Sequence, residues 1–154
     1  MGFELDKKNT IRKLQNLDKS KKGCVDEKIK DLVDFLNDSD DFYTTSSCSG
    51  RIMILTDPAE KKKHEVKWLF SSHHPVKYQD IDRKLKNLPD DVVYFRMEAP
   101  ILHVCARNME KADFLLDCAN QAGFRRAGII TISRRIIIEI FSTERIDVPV
   151  SENK

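Results

Sequence analysis

The order of periodicities along this chain predicts an α+β fold. The expectation is a single compact domain over residues 1–154, helical over about 3–38, with mixed or mainly antiparallel sheets after that. Three observations carry it. Apolar residues recur at helical spacing near the start and again in two isolated stretches. Short strand-like runs come in adjacent pairs separated by turn residues, as hairpins require. The chain has only five glycines, and none forms a GxGxxG or P-loop spacing, so no Rossmann nucleotide site is expected.

The elements follow in order. Residues 3–17 place Phe3, Ile11, Leu14 and Leu17 on a helix, and Lys19 to Gly23 reads as an exposed link. Asp26 is placed to cap a second helix, where Ile29, Leu32, Val33 and Leu36 fall at i, i+3, i+4 and i+7; "NDSDD" (37–41) ends it. The period then changes, and residues 42–46, 51–56 and 65–72 read as strands. The first two flank "TTSSCSGR" (44–51), expected as a hairpin turn, and "DPAEKKKH" (57–64) is a second turn with a basic tip. Ile81, Leu85 and Leu88 share a helical face over 78–88, stopped by Pro89. Residues 92–98 and 101–107 read as strands joined at Pro100. Asn108 caps a helix carrying Ala112, Leu115, Leu116 and Ala119, which ends at Gly123. "IITIS" and "IIIEIF" flank Arg134-Arg135 as a hairpin, giving the order ααβββαββαββ.

Composition narrows the function classes. Hydrophobic residues make up 40% of the chain, enough for a core, and charged residues 34% with a net charge of +2. Acidic residues dominate 26–41 and bases cluster elsewhere, which permits nucleic-acid binding without requiring it. No apolar run approaches the roughly 20 residues that span a bilayer. Residues 3–14 are amphipathic and charged, unlike a signal peptide. A cytoplasmic protein without membrane contact is expected. Cys24, Cys48, Cys105 and Cys118 share no CxxC spacing, so no metal is expected. High charge with an Ile-rich core also fits a hot habitat.

Several side chains are candidates for chemistry. A Ser-rich turn with Gly at its bend can aim backbone N–H groups and hydroxyls at an anion, and Arg51 adds a planar fork. The alternative is a polar hairpin tip whose hydroxyls bond their own backbone. His103 lies in an apolar strand, on the face opposite Leu102 and Val104, so it faces either a cleft or a polar partner. His73-His74-Pro75 follows the strand carrying Trp68. Lys61-Lys62-Lys63, Arg125-Arg126 and Arg134-Arg135 are either solvated turns or, with Phe124, Tyr43 and Trp68, an RNA surface.

The segments "TTSSCSGRI", "WLFSSH", "ILHV" followed by Arg107, and "GFRRAGI", in that order, resemble the tRNA wybutosine-synthesising protein 3 family over about residues 9–149, in the form of an archaeal member. The resemblance implies methylation, by S-adenosylmethionine, of N4 of 7-aminocarboxypropyl-demethylwyosine at position 37 of tRNA(Phe), giving 7-aminocarboxypropylwyosine. It also implies an α+β fold distinct from Rossmann-like methyltransferases. Ser46, Ser47, Cys48, Gly50, Arg51 and Gly128 are assigned to the cofactor. Trp68, Arg107, Lys61, Lys62, Arg125, Arg126 and Arg134 are assigned to the modified base and the anticodon loop. His103, then His73, is assigned to the proton, with Arg107 on the same strand face expected to keep the His103 ring neutral. No metal and no obligate protein partner are expected. Two rivals stand beside this reading: a non-catalytic RNA-binding module, and a thiol enzyme using Cys48 as nucleophile with His73 or His103 as base.

Overall fold

The structure, a computed structural model, describes residues 2–14, 25–56 and 66–151. The expected link 19–23, Leu17, Cys24 and the basic turn 57–64 with Lys61 and Lys62 lie outside the described residues. The elements are α1 (Phe3–Leu14), a 3-10 turn (Glu27–Ile29), α2 (Lys30–Asp38), β1 (Phe42–Cys48), β2 (Arg51–Thr56), β3 (Trp68–Ser72), α3 (Tyr78–Leu85), β4 (Val93–Glu98), β5 (Ile101–Ala106), α4 (Met109–Gln121), β6 (Gly128–Thr131), β7 (Ile136–Phe141) and β8 (Ile146–Ser151). They build an α+β fold with two antiparallel sheets, ordered β1-β5-β7-β6 and β3-β2-β4-β8. The chain forms two compact units, Met1–Ser49 with Pro100–Thr143, and Gly50–Ala99 with Glu144–Lys154. Among the described residues no helix is long and apolar enough to cross a membrane.

In the first unit, Phe42, Val104, Ala106 and Ile138 line one face of the sheet and meet Leu36 of α2 and Ala112 and Leu115 of α4. Burying a side chain such as Ile138 contributes about 1.5–3 kcal/mol. α4 begins where the Asn108 side chain accepts from the Lys111 N–H at 2.9 Å, and the chain turns away at Gly123, whose φ is 97°. On α2, Val33 and Leu36 are buried as the spacing predicts, whereas Leu32 is half exposed.

α1 is anchored to the opposite face of the sheet, and mainly by polar contacts. The Phe3 ring meets the Tyr43 ring with centroids 5.2 Å apart. The buried residue of α1 is Asp6, which accepts from Arg135 Nε and Nη2, both at 3.1 Å. Arg135 hydrogen bonding holds the Asp6 carboxyl below its ordinary value, against the opposing effect of burial. With the folded value lowered, the clasp is fully present above the unfolded carboxyl value of about 3.9 and is lost as pH falls through the folded value. Asp6→Asn is therefore expected to lower the urea midpoint at neutral pH. The gap from wild type should close below about pH 4, as urea titrations across that range will show.

In the second unit, Met53, Ile54 and Leu55 of β2 and Val93 of β4 are buried. In β8, Ile146, Val148 and Val150 alternate, but the proline between them argues against a central strand. It is an edge strand, the position in a sheet where a proline is tolerated, and Pro149 sits opposite Tyr94. Asp147 accepts two hydrogen bonds from Arg96, at 3.1 and 2.6 Å, and one from Arg145 at 2.6 Å.

The expected hairpin at "TTSSCSGR" is not formed. β1 runs on to Cys48 and pairs with β5, while β2 pairs with β3 and β4 in the other sheet. Gly50 makes the break with φ 82°, a conformation that favours glycine. β4 and β5 likewise separate at Pro100, which lacks a donor. The β6–β7 hairpin is present.

Candidate active site

The register of the first sheet assembles a row of side chains that are distant in sequence. Ser46 lies opposite His103, His103 opposite Glu139, and Glu139 opposite Gly128, so one row crosses all four strands. Regular alternation would not produce it. Phe42 and Thr44 pair with Ala106 and Val104 on the core face, and a period of two would send Ser46 there as well. An irregularity between Thr44 and Ser46 inserts Thr45 as an extra residue and turns Ser46 to the other face.

Ser46 Oγ lies 2.8 Å from His103 Nδ1, and Glu139 Oε2 lies 2.8 Å from His103 Nε2. A carboxylate only accepts, so Nε2 carries a proton, and in the singly protonated ring Nδ1 is left to accept from the Ser46 hydroxyl. His103 thus lies opposite the core face, as alternation predicts, but its neighbour is an acid and not Arg107. Arg107 is pulled away by Glu4, the Asp40 carbonyl and Asp41 Oδ1, the last 3.3 Å from Nε. Its guanidinium carbon also lies 4.5 Å from the Phe3 ring centroid. Sequence reasoning missed Glu139. The signal was a lone acid within "IIIEIF", which only a β5–β7 register could connect to His103.

Ser46 also borders a cavity of about 400 Å³, lined by Thr10, Lys13, Leu14, Val25, Thr45, Ser46, Ser47 and Arg135. That size lies within the range of small-molecule sites, about 300–1,000 Å³. Lys13 and Thr10 were also missed, because α1 was read by its apolar spacing alone. Asp26 stands at the cap position of the 3-10 turn without capping it. Its carboxylate instead accepts from the Ser49 N–H at 2.8 Å and the Ser49 hydroxyl at 3.1 Å. Part of the donor density of "TTSSCSGR" therefore serves the chain itself.

The second unit holds the remaining motif residues. The Gly50 carbonyl accepts from His73 Nδ1 at 2.9 Å, which places the ring proton on Nδ1. Arg51 Nε donates to Glu98 at 2.7 Å, and its guanidinium carbon lies 4.6 Å from the Trp68 ring centroid. Its fork is thus partly engaged within the fold. Trp68 remains 54% exposed, enough to offer a face for stacking.

Other candidates divide by exposure. Tyr43 is fully buried, which removes it from any RNA surface, and burial pushes its phenol upward. In the first unit, Arg125, Arg126 and Arg134 are exposed. Gly128 is the last member of the cross-strand row, with open space where a Cβ would stand.

Residues 5–154 match the family described as Methyltransferase TYW3. The chain is 38% identical over 155 residues to the tRNA(Phe) 7-((3-amino-3-carboxypropyl)-4-demethylwyosine(37)-N(4))-methyltransferase of Methanocaldococcus jannaschii, covering 99% of this chain and 79% of that protein. It is 39% identical over 141 residues to the tRNA wybutosine-synthesizing protein 3 homolog of Xenopus laevis, covering 88% of this chain and 55% of that one. Among solved structures, the PH1069 protein from Pyrococcus horikoshii superposes with a TM-score of 0.89 at 37% identity, covering 99% of this chain and 78% of that chain.

Proposed function

We propose, from the premise that this chain belongs to the TYW3 methyltransferase family, that it methylates N4 of 7-aminocarboxypropyl-demethylwyosine at position 37 of tRNA(Phe), giving 7-aminocarboxypropylwyosine. The observation that carries this reading is the likeness to the Methanocaldococcus jannaschii enzyme over nearly the whole chain. The site adds what such a reaction needs, a proton acceptor beside a cavity of small-molecule size.

S-adenosylmethionine, when bound, supplies an electrophilic methyl group on a sulfonium. The cavity fits that donor chemically: Lys13 opposes a carboxylate, and the hydroxyls of Thr10, Thr45, Ser46 and Ser47 suit its polar groups. Cys48, Gly50, Arg51 and Gly128 complete the assignment to the donor. His103 takes the acceptor's proton, with His73 as the second choice. Trp68 stacks on the modified base, and Arg125, Arg126 and Arg134 hold anticodon-loop phosphates, with Lys61 and Lys62 assigned the same part. Residues 1–154 act as one catalytic domain in the cytoplasm. Displacement at the methyl group depends on alignment, and effective molarity supplies roughly 7–11 kcal/mol.

The test is mass analysis of position 37 after incubating the protein with S-adenosylmethionine and tRNA carrying the demethylated intermediate. A gain of one methyl group supports the reading. Tight tRNA binding with no gain would favour the RNA-binding module. Against the form of the thiol enzyme that uses His103 as base, both His103 nitrogens face groups other than Cys48. Cys48→Ser is accordingly expected to keep a sizeable fraction of the methylation rate. A nucleophile's loss would cost up to roughly 10⁶-fold and leave a covalent adduct trappable on wild type.

A further inference from the structure

The row Ser46–His103–Glu139 has the connectivity of a relay rather than of a plain cross-strand polar ladder. Its inner end is an acid on β7, its middle an imidazole on β5, and its outer end an exposed hydroxyl on β1 that borders the cavity. The bulge at Thr45 is what brings that hydroxyl to this face. A ladder that served stability alone would need neither a bulge nor an end open to a cavity.

We propose that Ser46 Oγ is the atom through which the acceptor's proton reaches His103, and that Glu139 is a positioning residue holding His103 with its proton on Nε2. This rests on the reading of the chain as an N4-methyltransferase. The proton leaving the acceptor N–H goes to Ser46 Oγ as the Ser46 proton passes to His103 Nδ1. The pair left on nitrogen makes the bond to the methyl group, and the bond from methyl to sulfur breaks with its electrons staying on sulfur. One positive charge thereby moves from the sulfonium to the imidazolium, which faces Glu139. Without Glu139 the ring is free to turn over or to place its proton on Nδ1, where it meets the Ser46 hydroxyl as a donor and accepts nothing. Ser46, assigned to the cofactor by sequence, thus gains a part in the proton transfer.

Two measurements test this. The first needs no tRNA: ¹⁵N NMR of the full chain, with His103→Gln to assign the ring signals. The expected result is a protonated Nε2 and a hydrogen-bonded, unprotonated Nδ1 in wild type, with loss of that single pattern in Glu139→Gln. A wild-type ring protonated on Nδ1, whether or not Nε2 is also protonated, overturns the proposal. The second is single-turnover methylation. Ser46→Ala and Glu139→Gln should each slow it at least about 10-fold, toward the lower end of what a positioned acid–base group supplies, with tRNA affinity within about 3-fold. Ser46→Thr, which keeps the hydroxyl, should recover most of the Ser46→Ala loss. Because the groups act as a unit, the double variant should lose little more than the worse single one. Full activity in either single variant, with its fold intact by circular dichroism, overturns the relay. Failure of wild type to add a methyl group overturns the functional reading instead, and the NMR result still judges the tautomer.

Discussion

His103→Ala is expected to lower single-turnover methylation by at least about 10²-fold, the lower bound for a positioned general base, with S-adenosylmethionine and tRNA affinities within a few-fold. The argument is geometric. Only one nitrogen of His103 looks toward the cavity wall, through Ser46 at 2.8 Å, while the other is occupied by Glu139 at 2.8 Å. Removing the ring removes the proton's destination without removing a cavity-lining side chain, because His103 itself does not line the cavity. Collapse of the fold is not expected either. The His103 and Glu139 side chains are 26% and 29% exposed, so water can satisfy the orphaned carboxylate. Parallel loss of affinity and rate would make His103 a ligand-holding or structural residue, and His73 would be the next base to test. Unchanged turnover would return the row to a structural ladder.

Much of this site was legible in the sequence, and what was not has identifiable causes. The helix starting after Asn108 and the face of His103 follow from local rules, capping and period-two alternation. The row itself depends on register across β1, β5 and β7, which join residues from 46 to 139 with no local signature. Glu139 was therefore invisible as a partner, and Arg107, close in sequence and on the predicted face, stood in for it wrongly. The bulge at Thr45 defeated alternation within β1 itself. "TTSSCSGR" was misread as a hairpin because hairpin and sheet-to-sheet crossing share the same turn chemistry, a glycine at positive φ. Asp26 was taken for a cap by its position alone, whereas its carboxylate goes to Ser49, 23 residues on.

The triple variant Arg125→Ala, Arg126→Ala, Arg134→Ala is expected to weaken tRNA binding by roughly 50-fold near physiological salt and to flatten its salt dependence. Each phosphate contact to single-stranded RNA releases counterion with a slope of about −0.7 in log K against log salt, so three contacts contribute about −2. Carried from about 1 M down to about 0.15 M salt, that slope amounts to roughly 50-fold. All three are exposed. Arg107 is the internal control. It bears the same charge, but Glu4 and Asp41 already pair with it, and hydrogen bonding to Glu4, ahead of the opposing desolvation, raises its pKa above the ordinary arginine value. Arg107→Ala should therefore lower the unfolding temperature and leave the salt slope unchanged. Binding titrations of wild type, the triple variant and Arg107→Ala across salt concentrations decide the matter. An unchanged slope in the triple variant means that these arginines are solvated surface and that the tRNA backbone lies elsewhere. A change of slope in Arg107→Ala means that tRNA competes successfully with Glu4 for its guanidinium, and the sequence-based assignment of Arg107 to substrate then stands.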